Sequence, residues 1–331
     1  MKQRRFIVAI DAGGSTTRCV VADSSGNILG AGRGGPANHI LNGWDTASWS
    51  LRTAITEALE AAGTAADRVS VAVIGSAGIG PNGEGREVVE SLLTKLVPQA
   101  TLIRATGDMV AAFWGALREP VGVVVCAGTG SVCYGRNANG GTCQVGGWGP
   151  TMGDEGSAYD IATQALRAVA RAADGREPPT ALTARLATAL GGHGPLDVAL
   201  RVYSEPMNRE QIAALAVHVA AAGRDGDETA IAILRRAGDE LGLAVVTALR
   251  TLGLAAGSPT VSFAGSVFEA GELVYEPFSE VTLAAVPKAK LAPPLLSPVG
   301  GAVRLGLDAV GMKVDGRIFQ RLRAGLLRSG W

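Results

Sequence analysis

The sequence predicts an α/β protein built from two related halves, and three observations support this prediction. The pattern strand, glycine-rich turn, strand, hairpin turn, strand occurs twice, beginning near residue 6 and near residue 121. The two glycine-rich turns are alike, with AGGS at 12–15 and AGTGS at 127–131. The length of 331 residues is typical of about two domains. An internal duplication of one α/β unit accounts for all three observations.

The first half begins with a buried strand over the apolar run Phe6–Ile10. A second strand follows the glycine turn, and Ser24–Asn27 has the composition of a hairpin turn. Apolar residues between Trp44 and Ala62 recur at steps of three and four, which predicts a helix that ends at Gly63. The later predicted elements alternate in type: a strand near 69–74, a helix near 84–96, a strand near 101–104 and a helix near 108–118.

The second half begins with the strand Val121–Cys126 and then contains a long Ala-rich helical region, about 155–253. Further strands are predicted at Thr260–Ala264 and near Val281–Ala285. The predicted organisation is a first domain over 1–118, a second domain with a helical insertion over 119–298, a last helix near 299–311 and a tail over 312–331. A solvated helix face is the simplest interpretation of the tail's arginines, Arg317, Arg321, Arg323 and Arg328.

Composition and charge exclude several classes of protein. Basic and acidic residues balance at 30 each, which argues against a general nucleic-acid binder. The four cysteines form no C-x-x-C pair and lie at no zinc-binding spacing from a histidine. The most apolar stretches, about 211–223 and 241–257, are interrupted by His218 and Arg250 and are too short to span a membrane. We therefore expect a cytoplasmic protein with reduced thiols and with no nucleic-acid or membrane partner.

Both glycine-rich turns have the composition of a phosphate-binding site. Glycines allow the backbone close to a ligand, and successive N–H groups with nearby hydroxyls suit phosphate oxygens. An acidic residue just before such a turn, here Asp11, can hold Mg²⁺, usually through water. Either turn alone could be an ordinary hairpin, whereas two turns at equivalent strand ends would form a clamp on a nucleotide polyphosphate. The sequence contains no P-loop, no G-x-G-x-x-G after the first strand and no G-x-S-x-G.

Acidic residues at two predicted helix starts each allow two interpretations. Asp108 follows a strand, so it is either a helix-capping carboxylate or a general base for a hydroxyl. Asp154 and Glu155 end the glycine-dense loop 146–157. They too could cap a helix, or they could accept hydrogen bonds from sugar hydroxyls. Small residues in AGSV at 264–267 and in PVGGA at 298–302 would let an adenine ring lie against the backbone.

Taken together, these motifs resemble those of a known family. The matching segments run in family order along about 300 residues: DAGGSTT at 11–17, GPANH at 35–39, GSAG at 75–78, GD at 107–108, AGTGS at 127–131, GGWG at 146–149, GDEGSAY at 153–159, AGSV at 264–267 and GGA at 300–302. The most specific part is AGTGS followed by GGWG and GDEGS. The sequence is similar to the N-acetylglucosamine kinase branch of the BadF/BadG/BcrA/BcrD ATPase group, which belongs to the sugar kinase, actin and heat-shock ATPase superfamily.

The resemblance implies a fold and a set of site residues. The fold would be two ribonuclease-H-like (actin-like ATPase) domains around a central cleft, with the last helix packed back on the first domain. ATP and Mg²⁺ would be bound, with Asp11 helping to position the metal. By similarity, the phosphates are contacted by Gly13, Gly14, Ser15, Thr16, Gly128 and Thr129, and the adenosine side by Gly265 and Ser266. Asp108 matches the catalytic base, and the sugar pocket is lined by Asn38, Ser76, Asp108, Gly147, Trp148 and Asp154.

The activity that the resemblance implies is transfer of the γ-phosphoryl group of ATP to the 6-hydroxyl of N-acetyl-D-glucosamine, an amino sugar, by an enzyme that is often a homodimer. Three alternatives remain open: a glucosamine kinase with the same mechanism, an ATPase activator of a 2-hydroxyacyl-CoA dehydratase with a cysteine-bound iron–sulfur cluster, and a non-catalytic sugar sensor. The first loop departs from the family pattern of G-G-G-T followed by Lys or Arg. Ala12 replaces a glycine, Ser15 replaces the threonine and Thr16 replaces the basic residue.

Overall fold

The computed structural model describes residues 6–80, 82–204 and 207–331, and the chain divides into two compact units. Unit 1 comprises Met1–Pro120 together with Pro294–Trp331, and unit 2 comprises Val121–Pro293. The boundaries predicted from the sequence are 118/119 and 298/299. Unit 1 also includes the tail after residue 311, which the sequence analysis treats as a separate segment.

Each unit is built on one five-stranded sheet. The strands, in chain order, are β1 (Phe6–Ala12), β2 (Thr17–Asp23), β3 (Ile28–Gly34), β4 (Val69–Ser76), β5 (Leu102–Gly107), β6 (Gly122–Ala127), β7 (Ser131–Arg136), β8 (Thr142–Gly146), β9 (Thr260–Ala264) and β10 (Lys290–Ala292).

Helices fill most of the remaining described chain. In chain order they are α1 (His39–Asn42), α2 (Trp44–Ala61), α3 (Arg86–Leu96), α4 (Asp108–Ala116), α5 (Ala158–Ala173), α6 (Leu182–Ala189), α7 (Pro195–Ser204), α8 (Arg209–Ala213), α9 (Ala216–Arg224), α10 (Glu228–Thr251), α11 (Glu272–Ala285), α12 (Pro298–Ala309) and α13 (Gly316–Arg328). Among the described residues, no helix is long and apolar enough to cross a membrane.

The two sheets have the same topology. The strand order is β3-β2-β1-β4-β5 in unit 1 and β8-β7-β6-β9-β10 in unit 2. In each sheet the first strand pairs antiparallel with the next strand in the chain and parallel with the strand on its other side. The glycine-rich turns therefore occupy equivalent positions, between β1 and β2 and between β6 and β7. The predicted internal duplication is confirmed.

The sheet of unit 1 is covered on both faces, and alternate residues of β1 point to opposite faces. Ile7 and Ala9 of β1 belong to a core with α12 and α13. The alternate residues Val8 and Ile10 belong to a core with α2 and α3. Because both faces of β1 are buried, the strand reads as a continuous apolar run. Unit 2 has a core of its own, formed largely by β6, α5, α10 and α11.

One predicted strand differs from the structure, whereas the tail arginines lie on a solvated helix face, as expected. The strand predicted near Val281–Ala285 is wrong, because these residues end α11, and the strand that joins the sheet is β10. Val274, Phe278 and Thr282 are buried at steps of four, which is a helical period. In the tail, α13 buries Phe319, Leu322 and Leu326, whereas its arginines lie exposed.

Candidate active site

The carboxyl ends of three strands bring acidic and polar residues together in unit 1. β4 runs parallel to both β1 and β5, and the register pairs Asp11 with Gly75, Ala12 with Ser76 and Ser76 with Gly107. Asp108 follows Gly107 directly as the first residue of α4. Asp11, Ser76 and Asp108 therefore meet at one edge of the sheet. Ligands in open α/β sheets bind at this edge.

Burial shapes the acid–base properties of both carboxyls at this edge. Burial of Asp11, which is 8% exposed, together with the nearby charge of Asp108, raises its pKa to about 6, and Arg18 opposes the shift. The guanidinium of Arg18 lies 3.4 Å from the Asp11 carboxylate. Burial also raises the pKa of Asp108, although the Met109 N–H donates to its carboxylate at 2.8 Å. A carboxyl with a raised pKa is a stronger base once it is ionised.

The loop after β3 brings Asn38 to the same region. Its side-chain oxygen caps α1 by accepting from the N–H groups of Ile40 and Leu41 at 3.1 and 3.4 Å. Its amide nitrogen donates to the carbonyl of Ala77 at 3.4 Å, one residue beyond Ser76. The Ser76 hydroxyl, which is buried, accepts from the Gly78 N–H at 3.4 Å. Asn38 and Ser76 are thus fixed by local backbone contacts beside the Asp11–Asp108 edge.

Backbone hydrogen bonds at Gly13 hold the first glycine turn, and in one of them the Gly13 carbonyl accepts from the Ala37 N–H at 3.0 Å. Gly13 donates to the carbonyl of Thr16 at 3.0 Å, while Gly14 and Ser15 between them are exposed. A Cβ added at Gly14 would meet no other atom within 4 Å. The N–H groups and hydroxyls of this turn are therefore accessible for an anionic ligand, as phosphate binding requires.

The second glycine turn lies beside the end of β9 in unit 2. Gly128 donates to the carbonyl of Gly130 at 2.9 Å and accepts from the Ala158 N–H at 2.8 Å. Gly265 lies so close to the backbone of Ala127 that a side chain there would overlap it, and its φ is +105°. Only glycine suits both conditions. The structure therefore brings Gly128 and Thr129 together with Gly265 and Ser266.

A cavity of about 360 Å³ lies beside these residues within unit 2. Thr129 and Ser266 line it together with parts of α5, α8, α9 and α10, including Glu210 and Val217. Its size falls in the range of small-molecule sites. Thr129, predicted for the phosphates, and Ser266, predicted for the adenosine, thus line one concave surface within this unit.

Asp154 has a different role from the helix cap that its sequence position allows. Ser157 caps α5 by accepting from the Asp160 N–H at 3.1 Å, so the capping interpretation of Asp154 is wrong. Asp154 is buried, its φ of +63° lies in the left-handed region, and its carboxylate pairs with the guanidinium of Arg209. It also accepts from the Ser131 N–H at 3.3 Å. Burial raises its pKa, while Arg209 opposes the shift.

The rest of the glycine-dense loop packs on the second glycine turn. Gly147, with φ +76°, donates to the carbonyl of Ser131 at 3.1 Å. The Trp148 side chain is 73% exposed, which leaves its ring free for a ligand. The glycines of PVGGA lie elsewhere: Gly301 sits inside α12, where a Cβ would overlap the backbone of Ala111 in α4. Helix packing within unit 1, and not an adenine ring, accounts for that pair of glycines.

Two charged residues of this region are missed by the sequence motifs. Arg18 lies two residues beyond Thr16, so its place in β2 opposite Asp11 could have been inferred from a hairpin register. Arg209 belongs to no motif, and its contact with Asp154 joins residues 55 positions apart. Within the described residues, no cluster of three or more His, Cys, Asp or Glu is arranged to hold a metal ion. Cys19 and Cys133 are buried, and Cys126 and Cys143 are half-buried.

The duplicated units define the actin-like ATPase fold. A crystal structure from Chromobacterium violaceum, of a protein proposed to be an N-acetylglucosamine kinase, shares this fold with a TM-score of 0.69 at 24% identity, covering 91% of this chain and 98% of that one. The chain belongs to the BadF/BadG/BcrA/BcrD ATPase family, whose pattern matches residues 8–303.

Curated relatives match across most of the chain. The N-acetylmuramic acid/N-acetylglucosamine kinase of Clostridium acetobutylicum is 29% identical over 287 residues, which is 87% of this chain and 93% of the relative. The N-acetyl-D-glucosamine kinase of Dictyostelium discoideum is 28% identical over 317 residues, which is 92% of this chain and 99% of the relative. The predicted family is therefore confirmed.

Proposed function

We propose that this protein is an ATP- and Mg²⁺-dependent kinase that phosphorylates the 6-hydroxyl of N-acetyl-D-glucosamine. The observation that supports the proposal best is the pair of carboxyls, the buried Asp11 and the half-buried Asp108, beside Asn38 and Ser76 at one sheet edge. A hydroxyl acceptor needs a base, and a triphosphate donor needs a cation. The two carboxyls are suited to these separate tasks. The family and the two relatives named above support the amino sugar as acceptor.

Asp108 would act as the general base. Its carboxylate accepts the proton of the sugar 6-hydroxyl as the oxygen forms a bond to the γ-phosphorus, while the bond from that phosphorus to the β,γ-bridging oxygen breaks. The products are the sugar 6-phosphate and ADP, and the proton on Asp108 then passes to water. The helix that begins at Asp108 fixes the direction of the carboxyl, so positioning supplies a large part of the rate.

The residues present fit a bound Mg²⁺. Asp11 is a buried carboxylate at the end of β1, and carboxylate oxygens with water are the ligands that Mg²⁺ prefers. The ion would neutralise charge on the phosphates. Arg18 would hold Asp11 ionised, because its positive charge lowers the Asp11 pKa. The raised pKa of Asp11 also fits a cation site, since a bound cation would stabilise the ionised carboxylate that burial disfavours.

The test is ADP release with ATP, Mg²⁺ and a panel of sugars: N-acetylglucosamine, glucosamine, glucose, N-acetylmannosamine and anhydro-muramic acid. We expect turnover with N-acetylglucosamine. Turnover with glucosamine alone would leave the mechanism unchanged and make glucosamine the substrate. Asp108→Asn should lower the rate by about 10²–10⁴-fold without unfolding the protein. Asp45→Asn, an exposed first-turn aspartate of α2, is the matched control and should keep full activity. An active Asp108→Asn enzyme would contradict the role of the base.

A further inference from the structure

The guanidinium of Arg209 lies on the second glycine turn. Arg209 is the first residue of α8, and its side chain covers Gly130 so closely that a Cβ at that position would overlap it. The same guanidinium pairs with the buried carboxylate of Asp154. The turn that is proposed to bind phosphates therefore already has a fixed positive charge beside its backbone.

Arg209 has hydrogen-bonding capacity that Asp154 does not use. A guanidinium has five N–H donors in a planar fork, and Arg209 donates to Asp154 through Nη2. Its Nε is buried and has no hydrogen-bond partner, although buried polar atoms normally have one. The side chain is still 32% exposed. An anionic ligand on the turn could therefore reach it and use the remaining donors.

The cavity of unit 2 lies beside the same glycine turn. Thr129 of the turn and Glu210, the neighbour of Arg209, both line the 360 Å³ cavity, as does Ser266. A nucleoside in this cavity would direct its phosphates past Thr129 towards Gly130 and Arg209.

We propose that Arg209 binds the polyphosphate of the nucleotide, and that it exchanges Asp154 for the phosphates when the nucleotide binds. This inference rests on the proposed function and adds to it a coupling between the two substrates. While Arg209 is bound to Asp154, the carboxylate is neutralised; when Arg209 moves to the phosphates, the carboxylate is released to accept hydrogen bonds from sugar hydroxyls. Nucleotide binding should therefore tighten sugar binding, and by thermodynamic reciprocity sugar should tighten nucleotide binding by the same factor.

The first experiment compares ADP with adenosine by isothermal titration calorimetry. In Arg209→Gln, we expect ADP to bind about 10–100-fold more weakly, as for the loss of a hydrogen bond between charged groups, while adenosine affinity stays within about twofold. Arg185→Gln is the matched control, because Arg185 forms an ion pair with Asp225 and is 35% exposed. It should leave both affinities unchanged. Equal ADP affinity in Arg209→Gln, or equal losses for ADP and adenosine, would overturn the inference.

The second experiment measures the coupling directly. Sugar affinity is determined with and without a non-hydrolysable ATP analogue, and the analogue should tighten it roughly fivefold or more in the wild type. In Arg209→Gln this tightening should disappear. Tightening that persists in the variant would contradict the exchange between Asp154 and the phosphates.

Folding and the proposed function are controlled separately. Arg209→Gln leaves Asp154 buried without its partner, so the double variant with Asp154→Asn removes both charges and should show the same loss of ADP affinity. If the wild type itself binds neither ADP nor ATP, the proposed function and this inference fall together. If the wild type binds ADP and phosphorylates the sugar while the single and double variants bind ADP equally well, only the role of Arg209 is wrong.

Discussion

The burial that raises the pKa of the carboxyls at the edge of the unit 1 sheet also lowers the stability of the fold. Asp11 is ionised in a buried position beside a second acid, and its pKa of about 6 measures how poorly the folded protein accommodates the charge. The difference from the ordinary value of 3.8 corresponds to ~3 kcal/mol. Because the folded pKa is raised, this contribution favours folding below the unfolded pKa and is lost as the pH rises through about 6.

Asp11→Asn should therefore stabilise the protein at pH 8 while it removes kinase activity. We expect the free energy of unfolding to rise by about 1–3 kcal/mol, since the amide has the shape of the carboxyl without its charge. At pH 5 the folded carboxyl is largely protonated but the unfolded one, with a pKa of 3.8, is still ionised, so the gain should fall to about half and should vanish only below the unfolded pKa. Urea unfolding at both pH values measures the effect.

The matched control is Asp23→Asn, at another buried carboxylate of the same sheet. Asp23 accepts from the N–H groups of Ser25 and Asn27 at 2.9 and 3.0 Å and from the Asn27 side chain. Its negative charge is satisfied, so the same substitution should destabilise the protein. Equal effects of the two substitutions would show that burial of Asp11 is not the cause.

Arg18 should set the pH at which kcat/KM falls on acidification. Its positive charge lowers the pKa of Asp11, so Arg18→Gln should raise that pKa further. In the proposed mechanism Asp11 must be ionised to hold the cation and Asp108 to accept a proton, so kcat/KM should fall on acidification through about pH 6 in the wild type. In Arg18→Gln the fall should begin at a higher pH. An unchanged profile in this variant would contradict the coupling, and Arg52→Gln on the exposed side of α2 is the control.

At the scale of elements, α4 positions the proposed base through contacts at its far end. Asp108 begins α4, and the last carbonyls of the helix, near Trp114 and Leu117, accept from the guanidinium of Arg304. Arg304 belongs to α12, which crosses α4 so closely that a Cβ on Gly115 would lie 2.6 Å from the carbonyl oxygen of Ser297. α12, with which the chain returns to unit 1, thus fixes the helix that carries Asp108.

Arg304→Gln should destabilise the protein strongly. The guanidinium also donates to the carbonyl of Arg118 at 2.7 Å, and it is 4% exposed. Burial lowers its pKa to about 10, so it is charged at neutral pH. Leaving these buried carbonyls without a donor should cost roughly 2–5 kcal/mol. Urea unfolding followed by tryptophan fluorescence measures the loss.

Lysine tests the geometry of the same contact. Arg304→Lys keeps the charge but loses the planar fork, so it should restore only part of the stability. Arg317→Gln, on the exposed side of α13, should leave the midpoint unchanged. Full stability in Arg304→Lys would show that charge alone, without the arrangement of donors, holds the end of α4.

The elements show why some of the site could be predicted from sequence and some could not. The glycine turns and Asp108 are visible because each depends on a few consecutive residues at a strand end. Arg209 and Arg304 are not, because their partners lie 55 and 186–190 positions away, and an isolated arginine carries no local signal. In the sequence, the last residues of α11 resemble a strand, because their apolar run is too short to distinguish a helical period from a strand period.

At the scale of the whole molecule, the two units differ in how many segments of the chain form them. Unit 2 is continuous, whereas unit 1 is completed only when residues 294–331 return to it. α12 then packs on β1 and β4, with Val299, Val303 and Leu307 buried. Non-local contacts of this kind carry the entropic cost of closing a long loop. We infer that the core of unit 1 is incomplete without the last helices.

Truncation after Gly311 tests this inference. It removes Phe319, Leu322 and Leu326 of α13, which are 7%, 0% and 1% exposed. Burial of each is worth about 1.5–3 kcal/mol, and the whole stability of a domain is only about 5–15 kcal/mol. The truncated chain should therefore be insoluble or should lose the cooperative unfolding of unit 1. Replacing Arg317 and Arg323 by Gln in the full chain removes charge from the exposed face and should leave stability unchanged. A soluble truncated protein with the stability of the full chain would show that the core of unit 1 is complete without α13.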